Sequence, residues 1–295
     1  MVTLRNSLLE VRLKPEAGGR IDDLIDLRDG HNWLWHPEGY RPEAPRNVAV
    51  GDSFDDHWQG GWEEIFPNDM EGDHGWPDHG ELWSRAWELV ELSPLGAQLR
   101  LECQRVPARV TKTLQLDSDS ANLRVRYAIE NLSEDPLPFL FKLHPAIAIA
   151  PGDEIRMPPC EIEPVELGFS SLLGRAGKTP WPWGRDAEGN RVEIHRMPER
   201  NPLTQEFVYA SGLARGECGV RRAHNGSELR LNFSSADFPY VWVFQSHGRW
   251  RGHYVLMLEP ATTMPYDLSK AIRARTCAHL RPSERREWFV DVEVR

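Results

Sequence analysis

The sequence has no apolar run approaching the roughly 20 residues that cross a bilayer as a helix. Its start, Met1-Val2-Thr3-Leu4-Arg5, lacks the hydrophobic stretch of a signal peptide. A cytoplasmic protein without a membrane partner is expected. Basic excess is missing too: 35 Lys and Arg face 45 Asp and Glu, a formal net charge of −10, which argues against a sequence-independent hold on nucleic-acid phosphates. Cysteine is scarce. Cys103, Cys160, Cys218 and Cys277 lie far apart with no C-x-x-C pair, which fits isolated reduced thiols rather than a disulfide framework or a zinc site. The 23 Gly and 23 Pro are scattered rather than periodic, so collagen-like and low-complexity readings fail. What remains is a chain of 295 residues, 40% apolar, able to bury a sizeable core. We expect one domain over residues 1–295 with a small-molecule ligand.

The dominant period is two. Residues 8–13, 97–103, 110–116, 123–129, 228–233 and 288–294 alternate apolar with polar side chains, the pattern of antiparallel strands with one dry and one wet face. Turn-forming clusters such as Leu116-Asp117-Ser118-Asp119-Ser120 separate them. Residues 137–150, 240–245 and 254–258 are more continuously apolar, as inner strands covered on both faces are. Only residues 267–280 carry a helical stripe, with Leu268, Ala271 and Ile272 following a possible Asp267 cap. Many strands without a βαβ rhythm predict an all-β protein, a large antiparallel β-sandwich with one or two short helices, with a β-barrel or cupin as the alternative. Residues 38–77 and 161–202 are rich in Pro and Gly and read as long functional loops.

Tryptophan is over-represented, with 12 copies against 10 Phe and 6 Tyr. Trp58, Trp62, Trp76, Trp83 and Trp87 are interleaved with His57, His74 and His79. Indole faces stack on the C–H face of a sugar, and equally they pack cores. His74 and His79, beside Asp73 and Asp78, also admit a metal reading, although their spacing matches no established ligand motif. Two further residues stand out because they interrupt apolar strands: His144 in Phe141-Lys142-Leu143-His144-Pro145, and Glu259 in Leu256-Met257-Leu258-Glu259-Pro260. Burying a titratable group costs free energy unless it is partnered. A buried imidazole and a buried carboxylate suit a reaction that takes one proton and gives another.

These segments, taken in order, resemble the aldose 1-epimerase (galactose mutarotase-like) family, in its broader, less assigned branch. The resemblance runs through Ala17-Gly18-Gly19-Arg20-Ile21, Gly60-Gly61-Trp62-Glu63-Glu64-Ile65-Phe66-Pro67-Asn68, Pro77-Asp78-His79-Gly80-Glu81-Leu82-Trp83-Ser84-Arg85, Leu143-His144-Pro145 and Leu258-Glu259-Pro260-Ala261. It implies a large antiparallel sandwich and a cofactor-independent interconversion of sugar anomers. It places a general base at Glu259, a general acid at His144 and a second active-site histidine at His79, with Asn68, Arg85, Trp83, Lys142 and Trp62 as substrate-binding positions. Asp237 is the candidate for binding distal hydroxyls. Arg85 and Lys142 either pair with nearby acids such as Glu81 or accept an anionic group on the sugar. The expected partner is a small-molecule sugar, free or anionic, bound by a monomer or homodimer with no cofactor and no structural metal. A non-catalytic carbohydrate-binding or sensing protein on the same fold is the alternative, and a metal-dependent isomerase using His57, His74 and His79 is a third reading.

Overall fold

The computed structural model describes residues 1–44, 47–72, 74–200 and 203–295. Two large antiparallel sheets, of eleven and eight strands, make the architecture, so the sandwich expectation holds and the barrel alternative falls. The alternating segments are the reason. In Ala108–Leu116 and Asn122–Asn131 every second side chain is buried, and these strands lie side by side within the eight-stranded sheet. Their apolar faces, with Leu114 and Val125, and Val290 of the neighbouring strand Arg285–Val294 meet Leu143, Val208, Val241 and Leu258 of the larger sheet in one core. Each such side chain contributes about 1.5–3 kcal/mol on burial.

The three most apolar segments hold central strands, as their composition predicts, except that Leu137–Phe139, at the start of the first, pairs with Ala278–Leu280 in a separate two-stranded sheet. Lys142–Ile147, Tyr254–Ala261 and Tyr240–His247 are neighbours in the eleven-stranded sheet, followed by Thr204–Ser211. They are buried on both faces because the second face is also covered. Ala146, Met257, Trp242 and Tyr209 pack there under Phe54, Trp58, Trp83, Leu268 and Ala271. The predicted helix is real but shorter than its stripe. It covers Leu268–Ala274, capped by Asp267 accepting from the Lys270 N–H, and ends at Arg275 in the left-handed region. The chain then returns to a strand at Ala278–Leu280.

The long loops need correction. Residues 38–77 contain a short helix, Phe54–His57, and a central strand, Trp62–Ile65, paired with Lys142–Ile147. That strand is invisible to hydropathy because Glu63 and Glu64 are fully buried. Glu64 crosses between the sheets to Lys112, whose Nζ lies 2.7 and 2.9 Å from its two oxygens, and it accepts the Tyr127 hydroxyl at 2.7 Å. Residues 161–200 likewise hold short strands at Glu161–Pro164, Thr179–Pro180, Trp183–Arg185 and Arg191–Glu193. Pro202, at the end of that segment, lies outside the described residues. Among the described residues no helix is long and apolar enough to cross a membrane.

Candidate functional site

Side chains alternate along a strand, so Lys142, His144 and Ala146 share one face while Leu143 and Ile147 enter the core. The antiparallel register pairs Lys142 with Ala261 and Ala146 with Met257, which puts His144 directly opposite Glu259. Their side chains meet: His144 Nε2 lies 3.2 Å from Glu259 Oε1. Both residues are buried, at 5% and 1% exposure. Lys142 Nζ sits 3.0 Å from the other Glu259 oxygen and 2.6 Å from Asp69 Oδ1. It also lies 4.3 Å from the Trp242 ring centroid, in a cation–π contact.

Further groups come from the segment after Trp62–Ile65 and from the short helix Phe54–His57 before it. Asn68 donates through Nδ2 to the carbonyls of Met70 and Pro77, at 2.8 Å each, and so closes the loop that carries Asp69. His79 donates from Nδ1 to Asp78 at 2.8 Å, and its Nε2 lies 3.7 Å from Asp69. Phe54 stacks on the His79 ring at 4.3 Å and meets His144 edge-on at 5.3 Å. Gly80 lets the chain turn here. It has φ +67°, and a Cβ on it would lie 1.8 Å from the Phe66 carbonyl oxygen, so only glycine fits.

These residues open into a cavity of about 370 Å³ that His79, Lys142, His144, Glu259, Asp55 and Asp69 line together with aromatic side chains. The size is that of a small-molecule site. A larger depression of about 750 Å³ crosses the polar outer face of the eight-stranded sheet. Its Arg124–Asp291 and Gln98–Thr113 groups bond to one another rather than converging on a ligand.

The environment sets the charges. Burial raises the Glu259 carboxyl to about 7, with Lys142 pulling the other way. Burial also pushes His144 well below its ordinary value, helped by Lys142 and His79. Burial lowers His79 as well, but Asp69 and Asp78 outweigh it and leave the imidazole raised. The same two forces act on Lys142, where Asp69 and Glu259 prevail over burial and the ammonium is raised. The cavity therefore combines a carboxyl raised toward neutrality, an imidazole at His144 held in its neutral form, and an imidazole at His79 whose protonated form its two aspartates favour.

Of the eight sequence-predicted residues, Glu259, His144, His79 and Lys142 line the cavity. The other four do not. Asn68 shapes the Asp69 loop. Trp83 stands behind the site, edge-on to Phe54 at 5.1 Å and donating to the Asp78 carbonyl. Trp62 points into the sandwich core at 1% exposure. Arg85 is held by the Glu81 carboxylate at 3.2 Å and the Glu102 carbonyl at 2.8 Å, the pairing that its spacing to Glu81 allows. Asp237 lines a separate pocket beside Cys277 and Trp288. The tryptophan cluster also divides, since Trp87 joins Trp62 in the core. Sequence reasoning missed Asp55, Asp69, Trp250 and the phenylalanines at 207 and 244, all of which line the cavity. Trp250 had a findable signal, because it sits in the Gly248–Gly252 turn joining two central strands.

Among the described residues, His57, His74 and His79 share no metal-binding group. His57 faces Asp52, His74 stacks on Trp76, and Asp73 lies outside the described residues. The three-residue group that does form among the described residues is Asp22, Asp23 and His36. Both His36 nitrogens there contact backbone carbonyls, and Asp22 binds Arg20 and Tyr40.

No family model and no curated protein matches the sequence. Solved structures do match the fold. A galactose mutarotase-like protein from Lactobacillus casei ATCC 334 superposes with a TM-score of 0.65 at 18% identity, over 100% of both chains. A galactose mutarotase related enzyme from Lactobacillus acidophilus gives 0.70 at 12% identity, covering 100% of this chain and 97% of that one. The Slr1438 protein of Synechocystis sp. PCC 6803 gives 0.71 at 18%, covering 99% and 94%. At such identities the likeness establishes the architecture: the chain has the galactose mutarotase-like sandwich fold.

Proposed function

We propose that this protein is a cofactor-independent aldose 1-epimerase, which interconverts the α and β anomers of a free sugar. The observation that carries the reading is the in-register pair of Glu259 and His144 at the floor of one aromatic cavity, with the carboxyl shifted to about 7. Its supports are the ordered motifs in the sequence and a fold shared with proteins named as galactose mutarotase-like.

In this mechanism the Glu259 carboxylate takes the proton of the anomeric hydroxyl. His144, neutral, holds the ring oxygen through a ring N–H hydrogen bond without giving up that proton, and the C1–O5 bond opens to an aldehyde at C1 and an alkoxide at O5. Rotation about C1–C2 exposes the other carbonyl face. The proton returns from Glu259 as O5 attacks C1, so proton and bond counts balance over the cycle. His79, whose protonated form Asp69 and Asp78 favour against burial, offsets the negative charge that grows on oxygen in the transition state. Lys142 and Asp69 hold the Glu259 carboxylate in position. A base with a pKa near the working pH combines availability with driving force, and such catalysis is worth about 10²–10⁴ in rate.

The test is anomer exchange followed by NMR over a panel of free aldoses with purified protein. Exchange well above the spontaneous rate is expected. Saturable sugar binding without acceleration would instead identify a carbohydrate-binding protein and end the catalytic reading.

A further inference from the structure

The cavity floor is built in rows. Strand register carries one row through His144, Glu259 and Trp242. Two residues along the same strands, about 7 Å away at the ordinary rise per residue, a second row runs Ala146, Met257, Phe244 and Phe207. The first row is ionisable at the site where the anomeric centre sits in the proposed reaction. The second has no polar side chain at all. The apolar surface continues upward through Trp250 on one side and Phe169 on the other, and the two polar side chains that also line this part of the cavity are engaged elsewhere, Gln205 donating through Nε2 to the Phe169 carbonyl and the Tyr266 hydroxyl donating to Glu166. The loop that carries Phe169 also exposes Leu167 and Leu172.

A hexose bound with C1 at Glu259 would lay its far end over the second row. A hydroxyl there would give up water for a surface of methyl, thioether and phenyl groups, which return no hydrogen bond. A charged substituent fares worse. The cavity's two cations are already neutralised, Lys142 between Asp69 and Glu259, and His79 by Asp78 and Asp69. Asp55 adds a further carboxyl to the wall. Arg85, the other cation that the sequence offers for an anionic sugar, is bound to Glu81 and does not line the cavity.

We infer that the sugar taken by this site is one whose end remote from the anomeric carbon is apolar: a 6-deoxyaldose, in preference to the parent hexose or a sugar phosphate. The inference rests on the mutarotase reading above and specifies its substrate class. The methyl of a 6-deoxy sugar would pack between Phe244, Phe207 and Met257, and the C–H face of the ring against the indole of Trp250.

The experiment measures kcat/KM for anomer exchange by NMR with galactose against 6-deoxygalactose, glucose against 6-deoxyglucose, and glucose 6-phosphate. We expect the deoxy member of each pair to be favoured about 10- to 100-fold, the range over which an apolar pocket discriminates a single hydroxyl, and the phosphate to be the poorest. Phe244→Gln is expected to bring the deoxy-to-hexose ratio toward one. Phe207→Gln, at another half-buried ring, serves if the first variant does not fold. Equal or better turnover of the hexoses or of the phosphate overturns the substrate assignment while leaving the mutarotase reading intact. Absence of accelerated exchange with every sugar overturns both.

Discussion

Replacing Glu259 by Gln isolates the proposed base with little structural disturbance. The side chain keeps its shape, and the buried charge balance survives because Lys142 retains Asp69 at 2.6 Å. What is lost is a carboxylate able to take a proton at the floor of the cavity. General-base catalysis of about 10²–10⁴ corresponds to about 2.7–5.4 kcal/mol of transition-state stabilisation at 1.36 kcal/mol per tenfold. We therefore expect kcat/KM for anomer exchange to fall at least 100-fold while the thermal midpoint stays close to that of the native protein. NMR exchange measurements and a melting curve on one preparation separate the two quantities. A folded Glu259→Gln protein that retains more than a tenth of its activity would refute the assignment of the base.

The pH profile should be bell-shaped. Activity rises through about pH 7 as Glu259 loses its proton, then falls at higher pH as His79, raised by Asp69 and Asp78 against the effect of burial, loses its own; a profile without an acidic limb contradicts the scheme. Lys142→Met removes the cation that holds the Glu259 carboxyl down, so the acidic limb of kcat/KM should move to higher pH. Lys112→Met leaves the Glu64 carboxylate buried and unpaired between the sheets and should cost about 3–5 kcal/mol in denaturant unfolding. Adding Glu64→Gln, which still accepts the Tyr127 hydroxyl, should recover much of that loss. Gly80→Ala forces a Cβ against the Phe66 carbonyl at φ +67°. It should cost more than about 1 kcal/mol of stability and reduce exchange by displacing His79, which circular dichroism melts and the NMR assay will show.

The framework was legible wherever one face of an element is dry and the other wet. Strands such as Gly96–Glu102 and Glu228–Phe233 announce themselves by alternation. His144 and Glu259 announce themselves because a titratable group in an otherwise apolar strand needs a reason. Trp62–Ile65 was hidden, since two adjacent glutamates imitate an exposed loop when their partners, Lys112 and Arg20, are distant in sequence. Asp69 and Asp55 were hidden for a related reason. An aspartate in a loop carries no periodic signature, and only the path of the chain brings it to Lys142 or into the cavity. The tryptophans misled in the opposite sense, because an indole that packs a core and one that faces a ligand are indistinguishable until the face of each strand is known.

The alternation that sets Leu143 and Leu258 in the sandwich interior is the same one that sets His144 and Glu259 in the cavity. A one-residue slip of either strand would exchange these sets, driving an acid or an imidazole into the hydrocarbon layer and leaving leucines at the reactive floor. Correct pairing of the two strands is thus proofread by the interior. A chain that has packed its leucines has, by that act, also set its carboxyl and imidazole face to face, 115 residues apart in sequence. A truncated or stalled chain lacking residues 254–261 would possess neither.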